Sequence, residues 1–474
     1  MLLAVGAPGR AFAHRDFRML FGVNIFEFCG VTLFKLAALQ WLYEATSSAL
    51  VLGGLGVVTL IAQIPSTLYG GVLADAVDRK ALVATMMMVC AFTSALLAVL
   101  CAADALHPAI IYVAIAVVTI ARRLEGSARS ALLAVVVPAD DAPRAISIAV
   151  LTQQAGDMLA PLLFAAVGSG FASLAPSFGV AAAAYAPAGA LALAIKAPGR
   201  AAAKAGSGGL GPAAAARSLV EGVRYIFGHP LLPGLYALDW AMTLFTFYRE
   251  LFPLFVDRLF VESHGLSPRA AAALLTTFNH GGGVAGSAVT LRLTTKFKGR
   301  AVCIATLAYG IAVVLYGATP WLAWGLFAVA LCGGTDAVGV TMRKSVVLLT
   351  TPDELRGRAS SGHSLAANLA NSLGQVYVSA MAGAIGPGPT EILGGVLTWL
   401  SVALAVYKIP KIWRASDEEA AATAAAAAAT AEAKIGSVDG LAAADSAAAP
   451  ETQELPAAVE DEGGGASKLH DMDE

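Results

Sequence analysis

Long runs of apolar residues, separated by short polar stretches, recur along this chain. Each run covers roughly 20 residues, the length that an α-helix needs to cross the hydrocarbon core of a bilayer. The pattern therefore predicts an all-α membrane protein with twelve transmembrane helices, here called spans 1 to 12. Their ranges are 19–43, 49–72, 81–103, 109–134, 145–168, 175–195, 231–255, 270–293, 301–318, 321–348, 359–384 and 390–409.

The longest interior break in this pattern contains "APGRAAAKAGSGGLG", whose small residues are typical of a flexible linker. Six spans precede this linker and six follow it, which divides the chain into two six-helix halves. We expect a cytoplasmic N-terminus (1–18), an N-terminal half (19–195), the linker (196–230), a C-terminal half (231–410) and a cytoplasmic tail (411–474).

The loop cations predict how the spans are oriented. If the N-terminus is cytoplasmic, nearly all loop lysines and arginines lie on the cytoplasmic side, and the outer loops hold only Arg258 and Arg269. Cytoplasmic loops of membrane proteins carry this excess of positive charge. The sequence therefore predicts a multi-pass protein of a cell (cytoplasmic or inner) membrane, with both termini and the linker inside.

The composition agrees with a lipid-facing surface. Hydrophobic residues make up 57% of the chain and charged residues only 14%, against about 25% charged in a typical soluble domain. The net charge of −2 conceals a body of +10 and a tail, residues 415–474, of −12. The tail is rich in alanine and of low complexity, so we predict that it is disordered.

The two halves resemble each other in sequence. A shift of 214 positions places Arg129 on Arg343 and Arg144 on Arg358. Transporters built from such repeats hold their solute near the membrane midplane, between the repeats. The alternative is a duplication that serves structure alone.

Ionisable residues inside the spans are costly in lipid and mark function by default. They concentrate in spans 1, 4, 7 and 10, one span in each three-helix unit, so we predict that these four helices line one aqueous cavity. The residues are Glu27, Lys35, Arg122, Arg123, Glu125, Arg129, Asp157 (in span 5), Asp239, Arg249, Glu250, Asp336 and Arg343.

Helical spacing groups several of these charges on common faces. In span 1, Glu27 and Lys35 share a stripe, and in span 7 Asp239 shares one with Glu250. In span 4, Glu125 can bridge two arginines. The three residues lie on one face of this span, because Arg122, Glu125 and Arg129 occupy positions i, i+3 and i+7.

Each of these charges has two interpretations. It can belong to a fixed ion pair that holds helices together, which we favour for Arg129 and Arg343 near the cytoplasmic ends. It can instead take part in transport, and the deeper carboxylates of Glu27, Asp157 and Asp239 are candidates to carry a proton.

The stretch "YGGVLADAVDRK", residues 69–80, resembles the major facilitator superfamily signature G-x-x-x-D-[RK]-x-G-[RK]-[RK] between the second and third helices. Ala76 and Asp78 depart from it, so the turn gains an anion and loses a cation. "FRMLFGVNIF" and "EGVRYIFGHPLL" are similar to the branch that includes the enterobactin exporters and related drug-efflux proteins. In the turn, the residues that match the superfamily signature are Gly71, Asp75, Arg79 and Lys80.

This resemblance implies the major facilitator fold, a gate at the quoted turn and a proton-linked arginine in span 4. Arg122 and Gly126 match that span 4 motif, with Glu125 where glutamine is usual. The antiporter signature of span 5 is met only in part. From the turn we predict a latch that closes the inner gate, in which Asp75 faces Arg129 or the N-terminus of the eleventh helix, where the helix dipole favours an anion.

No phosphate-binding loop, nucleophile elbow or zinc motif is found in the sequence, so we expect no enzyme, no cofactor, no metal site and no nucleic-acid partner. "GGGVAG" in span 8 is interpreted as a helix-packing run. We expect a monomeric carrier of a small organic solute, with protons as a second partner, working in efflux. Uptake or exchange of a charged metabolite, or a non-transporting receptor that uses the acidic tail, remain alternatives.

Overall fold

The computed structural model describes the greater part of the predicted helices. The predicted linker and acidic tail, apart from a few positions, lie outside the described residues, as do the side chains of Asp75 and Arg358 and the surroundings of Gly71. Within the described part of the chain all regular structure is helical. The described residues are 12–138, 141–168, 170–199, 220, 224, 226–229, 231–259, 266–290, 292–293, 296–318, 321–351, 353–414 and 422.

Described residues form helices at each of the twelve predicted positions, and within this part of the chain seven helices are long and apolar enough to be candidate membrane spans by themselves. The N-terminal half contains α1 (Arg15–Thr46), α2 (Ala49–Ala76), α3 (Arg79–Ala102), α4 (Pro108–Val136), α5 (Ala142–Gly168) and α6 (Ala175–Leu193). The C-terminal half contains α7a (Leu232–Phe245), α7b (Phe252–Leu259), α8 (Pro268–Thr290), α9 (Lys298–Gly317), α10 (Leu322–Thr350), α11 (Asp353–Ile385) and α12 (Pro387–Lys408), and a short α13 (Lys411–Arg414) follows.

Successive helices run in opposite directions, because the connections between most of them are short. We call the end of the bundle where α1 begins the terminal face and the end where α1 finishes the opposite face. Many large apolar side chains point outward from the bundle, Phe92 and Leu400 among them. A bilayer accommodates such a surface, whereas water does not.

The continuous helix predicted for span 7 is wrong in its middle. α7a ends at Phe245, and a 3₁₀ turn, Tyr248–Leu251, separates it from α7b. The hydroxyl of Thr246 contacts the carbonyl of Met242, and the hydroxyl of Tyr309 donates to the carbonyl of Thr246 at 3.3 Å. These side chains satisfy backbone groups that the interrupted helix leaves open.

The turn between α2 and α3 is held by local bonds. Asp78, one of the two departures from the signature, is the N-cap of α3 and accepts from the backbone N–H groups of Lys80 (2.9 Å) and Ala81 (3.1 Å). Lys80 Nζ donates to the carbonyl of Ile195 at the end of α6 (3.2 Å). The extra anion therefore starts a helix, which is where an aspartate is favoured.

Glycines permit close helix packing at two places that the sequence singles out. A Cβ on Gly70 would lie 2.8 Å from Ser127 Oγ on α4. In the "GGGVAG" run, a Cβ on Gly282 would collide with the backbone of Ala330 on α10. The run is a helix-packing surface, as predicted, because only glycine allows this approach.

Candidate functional site

The main cavity lies between the two halves and has a volume of about 510 Å³. Its wall takes residues from both halves, and it brings together six of the predicted charges. Four phenylalanines, Phe28, Phe34, Phe247 and Phe252, supply apolar wall beside them. We call it the central cavity, and its charged residues are Lys35, Arg122, Arg123, Asp157, Arg249 and Glu250.

A second cavity, of about 340 Å³, belongs mainly to the C-terminal half. It shares the wall residues Phe247, Arg249, Asn368 and Asn371 with the central cavity. The prediction of one cavity therefore needs correction, because the break in span 7 sends Glu250 to the central cavity and leaves Asp239 in the second. The charged residues of this second cavity are Asp239, Arg249, Asp336, Arg343 and Lys344.

A closed network of ion pairs lies behind the central cavity in the N-terminal half. Glu27 on α1 is fully buried and lies 2.7 Å from Arg122 Nη2 and 3.6 Å from Arg129 Nη2. Arg129 Nε donates to Glu125 Oε2 at 3.2 Å, and Nη1 contacts the amide oxygen of Asn24. Glu27 and Glu125 thus neutralise two arginines without facing either cavity.

The C-terminal half has two separate pairs. Arg343, with 1% of its surface exposed, contacts the carboxylate of Asp239 on α7a. Arg249 Nη2 lies 3.5 Å from Asp336 Oδ2, and both side chains are partly exposed to the cavities. The predicted function of Arg343 in a fixed ion pair fits this burial, since removing either partner would strand a charge.

Arg123 lies on a different face of α4 from the other charges and contacts the opposite half. It donates to Gln63 Oε1 (3.1 Å) on α2 and to Asn368 Oδ1 (2.9 Å) on α11. Gln63 Nε2 in turn donates to Ser372 Oγ at 3.1 Å. The sequence analysis missed this bridge, which the amide side chains of Gln63 and Asn368 inside apolar helices could have indicated.

A further bridge between the halves lies at the opposite face. Arg269, in the first turn of α8, forms a bidentate pair with Glu44 at the end of α1, with both distances 2.7 Å. The same guanidinium donates to the carbonyls of Gly168, Phe171 and Ala172 at 2.9–3.1 Å. All five donors of this arginine, one of only two cations predicted for the outer loops, are used.

A second contact supports this bridge. Tyr43, next to Glu44, donates its hydroxyl to Asp257 Oδ2 on α7b at 2.6 Å. Farther along the same interface, a Cβ on Gly53 would lie 2.8 Å from Ser379 Cβ on α11. We call Tyr43, Glu44, Asp257 and Arg269 the opposite-face clasp, because it ties α1 to the C-terminal half.

The structure places only part of the predicted gate. Arg79 is buried and donates Nε to the carbonyl of Ala74 at 3.1 Å. The described partners of Arg129 are Asn24, Glu27 and Glu125. The latch between Asp75 and Arg129 stays a prediction.

Glu391 is a buried carboxyl that the sequence analysis missed. It lies near the start of α12, fully buried and close to Gly317 on α9. It is the second residue of predicted span 12, which was not among the spans expected to carry charge. Among the described residues, no three His, Cys, Asp or Glu side chains are grouped as a metal site requires.

Two helical halves around a charged cavity define a membrane transport protein in fold and site. The sequence profile of the Major Facilitator Superfamily matches residues 20–375, and the chain belongs to this superfamily of transporters.

Comparison with known proteins gives distant relatives. The enterobactin exporter EntS of Escherichia coli O1:K1 is 25% identical over 193 residues, which are 39% of this chain and 45% of the exporter. EntS of strain CFT073 matches at the same identity and coverage. The match therefore spans less than half the length of these exporters.

Solved structures share the fold at low identity. The nucleoside transporter NupG superposes with a TM-score of 0.65 at 12% identity and covers 83% of this chain and 99% of its own. A bacterial homologue of the human lysosomal transporter Spinster, in an inward-facing and unoccupied conformation, gives 0.64 at 16%, covering 87% and 97%. This chain thus has the major facilitator fold.

Proposed function

We propose that this protein is a proton-coupled secondary transporter that exports a small organic solute by alternating access. The observation that carries the proposal is the central cavity, which lies between the halves and combines ionisable and aromatic wall residues. Repeat transporters hold their solute in such a place. The distant similarity to enterobactin exporters supports the outward direction.

The contacts between the halves indicate which face is closed. The opposite-face clasp and the α2–α11 interface join the halves from the middle of the bundle to the opposite face. With the terminal face in the cytoplasm, as the loop cations predict, this arrangement loads solute from the cytoplasm. Export then requires the clasp to open while the terminal face closes, with Asp75 and Arg129 as the proposed latch.

Asp157 is our first candidate for the proton carrier. It lines the central cavity, where its Oδ1 accepts from Thr32 Oγ1 at 3.0 Å, and it forms no ion pair with another described residue. Glu250 lines the same cavity. Glu27 is less suited, because it is locked between two arginines, and Asp239 is held by Arg343.

The test replaces each carboxylate by its amide and measures proton-driven flux in proteoliposomes that contain the full chain. Asp157→Asn should abolish the coupling of flux to a pH gradient while downhill counterflow persists. Asp239→Asn is the matched control, and it should keep coupling in whatever fraction of protein remains folded. If coupling survives in the Asp157, Glu250 and Glu27 variants, the proton mechanism is wrong.

Uptake or exchange of a charged metabolite is the second candidate. It is favoured by the four cations, Lys35, Arg122, Arg123 and Arg249, that line the central cavity beside two carboxylates. Counterflow with solute preloaded inside or outside the vesicles distinguishes exchange from export. Exchange predicts that external solute accelerates efflux of internal label even without a pH gradient.

A further inference from the structure

Lys35 is the cation of the central cavity that has no partner. It lies on α1 with its side chain exposed to the cavity, and among the described residues it forms no hydrogen bond or ion pair. The groups whose charges act on it come from three neighbouring elements. These are Arg122 and Arg123 on α4, Asp157 on α5 and Glu250 on the 3₁₀ turn.

The internal repeat explains why Lys35 lacks a partner. The shift of 214 positions that relates the halves places Lys35 on Arg249 and Arg122 on Asp336. In the C-terminal half these two positions form an ion pair at 3.5 Å. In the N-terminal half the same two positions hold two cations, so the repeat supplies the geometry of a pair without its negative charge.

Three other charged groups of the wall have partners of their own. Arg122 is neutralised by Glu27 at 2.7 Å, and Arg123 donates to Gln63 and Asn368. Asp157 accepts from Thr32 at 3.0 Å. The ammonium group of Lys35 therefore presents three donors to the cavity that no described side chain uses.

A cation inside the membrane region is costly, so its retention calls for a negative partner that is present during the transport cycle. The same wall carries Phe28, Phe34, Phe247 and Phe252, which offer apolar surface to the rest of a solute. A pocket that combines apolar surface with placed polar groups fixes both the charge and the shape of its ligand.

We propose that Lys35 binds the anionic group of the solute, a carboxylate or a comparable oxyanion, while the body of the solute packs on the phenylalanines. The proposal rests on the proposed transport function and names its substrate class as organic anions with a ring or other broad apolar face. Arg122 and Arg123 favour the same sign of charge from behind Lys35.

Three naphthalene probes of one shape test this proposal. They are 2-naphthoate, 2-naphthylmethanol and 2-naphthylmethylamine, each titrated against the purified full-length protein by calorimetry. We expect naphthoate to bind at least about tenfold more tightly than the alcohol, a difference of about 1.4 kcal/mol. The amine should bind most weakly.

The variants assign this preference to one side chain. Lys35→Met should lose the preference for naphthoate, whereas Lys35→Arg should keep most of it. Lys408→Met, which removes a lysine beside Tyr407 near the end of α12, is the matched control and should bind as the native protein does. Equal binding of the three probes, no binding of naphthoate, or a preference that survives Lys35→Met overturns the proposal.

Flux measurements distinguish a failure of this inference from a failure of the proposed transport function. Transport of neutral solutes that does not depend on Lys35 would overturn the anion subsite and leave the transporter. Binding of naphthoate that depends on Lys35, with no flux of any labelled probe in proteoliposomes, would keep the subsite and count against transport of this class.

Discussion

The two halves neutralise equivalent charges in different ways. In the N-terminal half, the carboxylate of Glu27 lies against both Arg122 and Arg129, and Arg129 has Glu125 as a second partner. In the C-terminal half, Arg343 and Arg249 each have a carboxylate of their own, on Asp239 and Asp336. The repeat places Arg129 on Arg343 near the terminal face, and these two arginines have different carboxylate partners.

The two halves therefore differ in how many of their cations have a carboxylate partner. The C-terminal half leaves neither of its paired arginines without a carboxylate, which suits a supporting role. The N-terminal half has Glu27 and Glu125 behind the central cavity, while Lys35 is exposed to the cavity. This asymmetry between the halves is the basis of the proposed anion site at Lys35.

The largest expected effect comes from breaking the shared carboxylate. Glu27→Gln should destabilise the protein by about 3–5 kcal/mol, because it leaves Arg122 without its carboxylate in a buried place and leaves Arg129 with Glu125 alone. Asp239→Asn should cost less, since it affects only Arg343. Unfolding in mixed detergent micelles, followed by circular dichroism, compares the two. A larger loss for Asp239→Asn would show that sharing is not what distinguishes the halves.

The next comparison removes the equivalent cations. Arg249→Met strands the carboxylate of Asp336, but both side chains of this pair are partly exposed, so we expect a loss of only about 1 kcal/mol. Lys35→Met strands nothing and should change stability by less than about 0.5 kcal/mol. The same unfolding assay measures both. A large loss for Lys35→Met would reveal a partner that holds it in the folded state.

The sequence predicts part of the fold and of the candidate site, but not all of it. The lengths of the apolar runs predicted helices at the twelve positions where the described residues form them, apart from the break in span 7. The spacing of Arg122, Glu125 and Arg129 put Glu125 within reach of Arg129, but among the described residues Arg122 pairs with Glu27 instead of Glu125. Helical phase also holds Arg123 apart from that face. These features are local, since they depend only on the period of one helix.

Other features depend on how helices cross, which the pattern of one helix does not contain. The pairing of Glu27 with Arg122 joins positions 95 residues apart, and that of Arg269 with Glu44 joins positions 225 apart. The break after Phe245 was missed because its cause lies on α9, where Tyr309 supplies the bond that the backbone lacks. Tertiary partners decided these sites.

The opposite-face clasp tests whether the halves separate as proposed. Arg269→Gln removes the bidentate pair with Glu44 and the bonds to three carbonyls. We expect opening of that face to become easier by roughly 1 kcal/mol, about fivefold in the ratio of open to closed protein. Spin labels on Leu50 and Leu266, both exposed near this face, should report a longer distance by pulsed electron resonance.

Arg269→Lys is the matched variant for the clasp. It keeps the charge but not the planar set of five donors, so its effect should lie between those of the native protein and Arg269→Gln. An unchanged distance distribution in Arg269→Gln would mean that the interface of α2 and α11 closes this face without the clasp.

The smallest expected effect concerns two histidines that cap helices, one in each half. His107 Nδ1 accepts from the backbone of Ala109 at the start of α4, and His229 Nδ1 accepts from Leu231 (3.1 Å) and Leu232 (3.2 Å) at the start of α7a. Burial lowers the pKa of His229 to about 4, from a usual value of 6.5, because the charged imidazolium is poorly solvated there. Only the neutral ring can accept these two bonds at Nδ1.

Between pH 6.5 and pH 4 the unfolded chain therefore binds more protons at His229 than the folded chain does. The stabilisation by this neutral cap is fully present above pH 6.5 and is lost as the pH falls toward 4. His229→Asn keeps a helix-capping acceptor that does not titrate, so its melting temperature should fall less than that of the native protein between pH 7 and pH 5. His107→Asn, at the exposed cap, is the control. If His229→Asn follows the native pH profile, the buried cap of the C-terminal half does not contribute to its acid sensitivity.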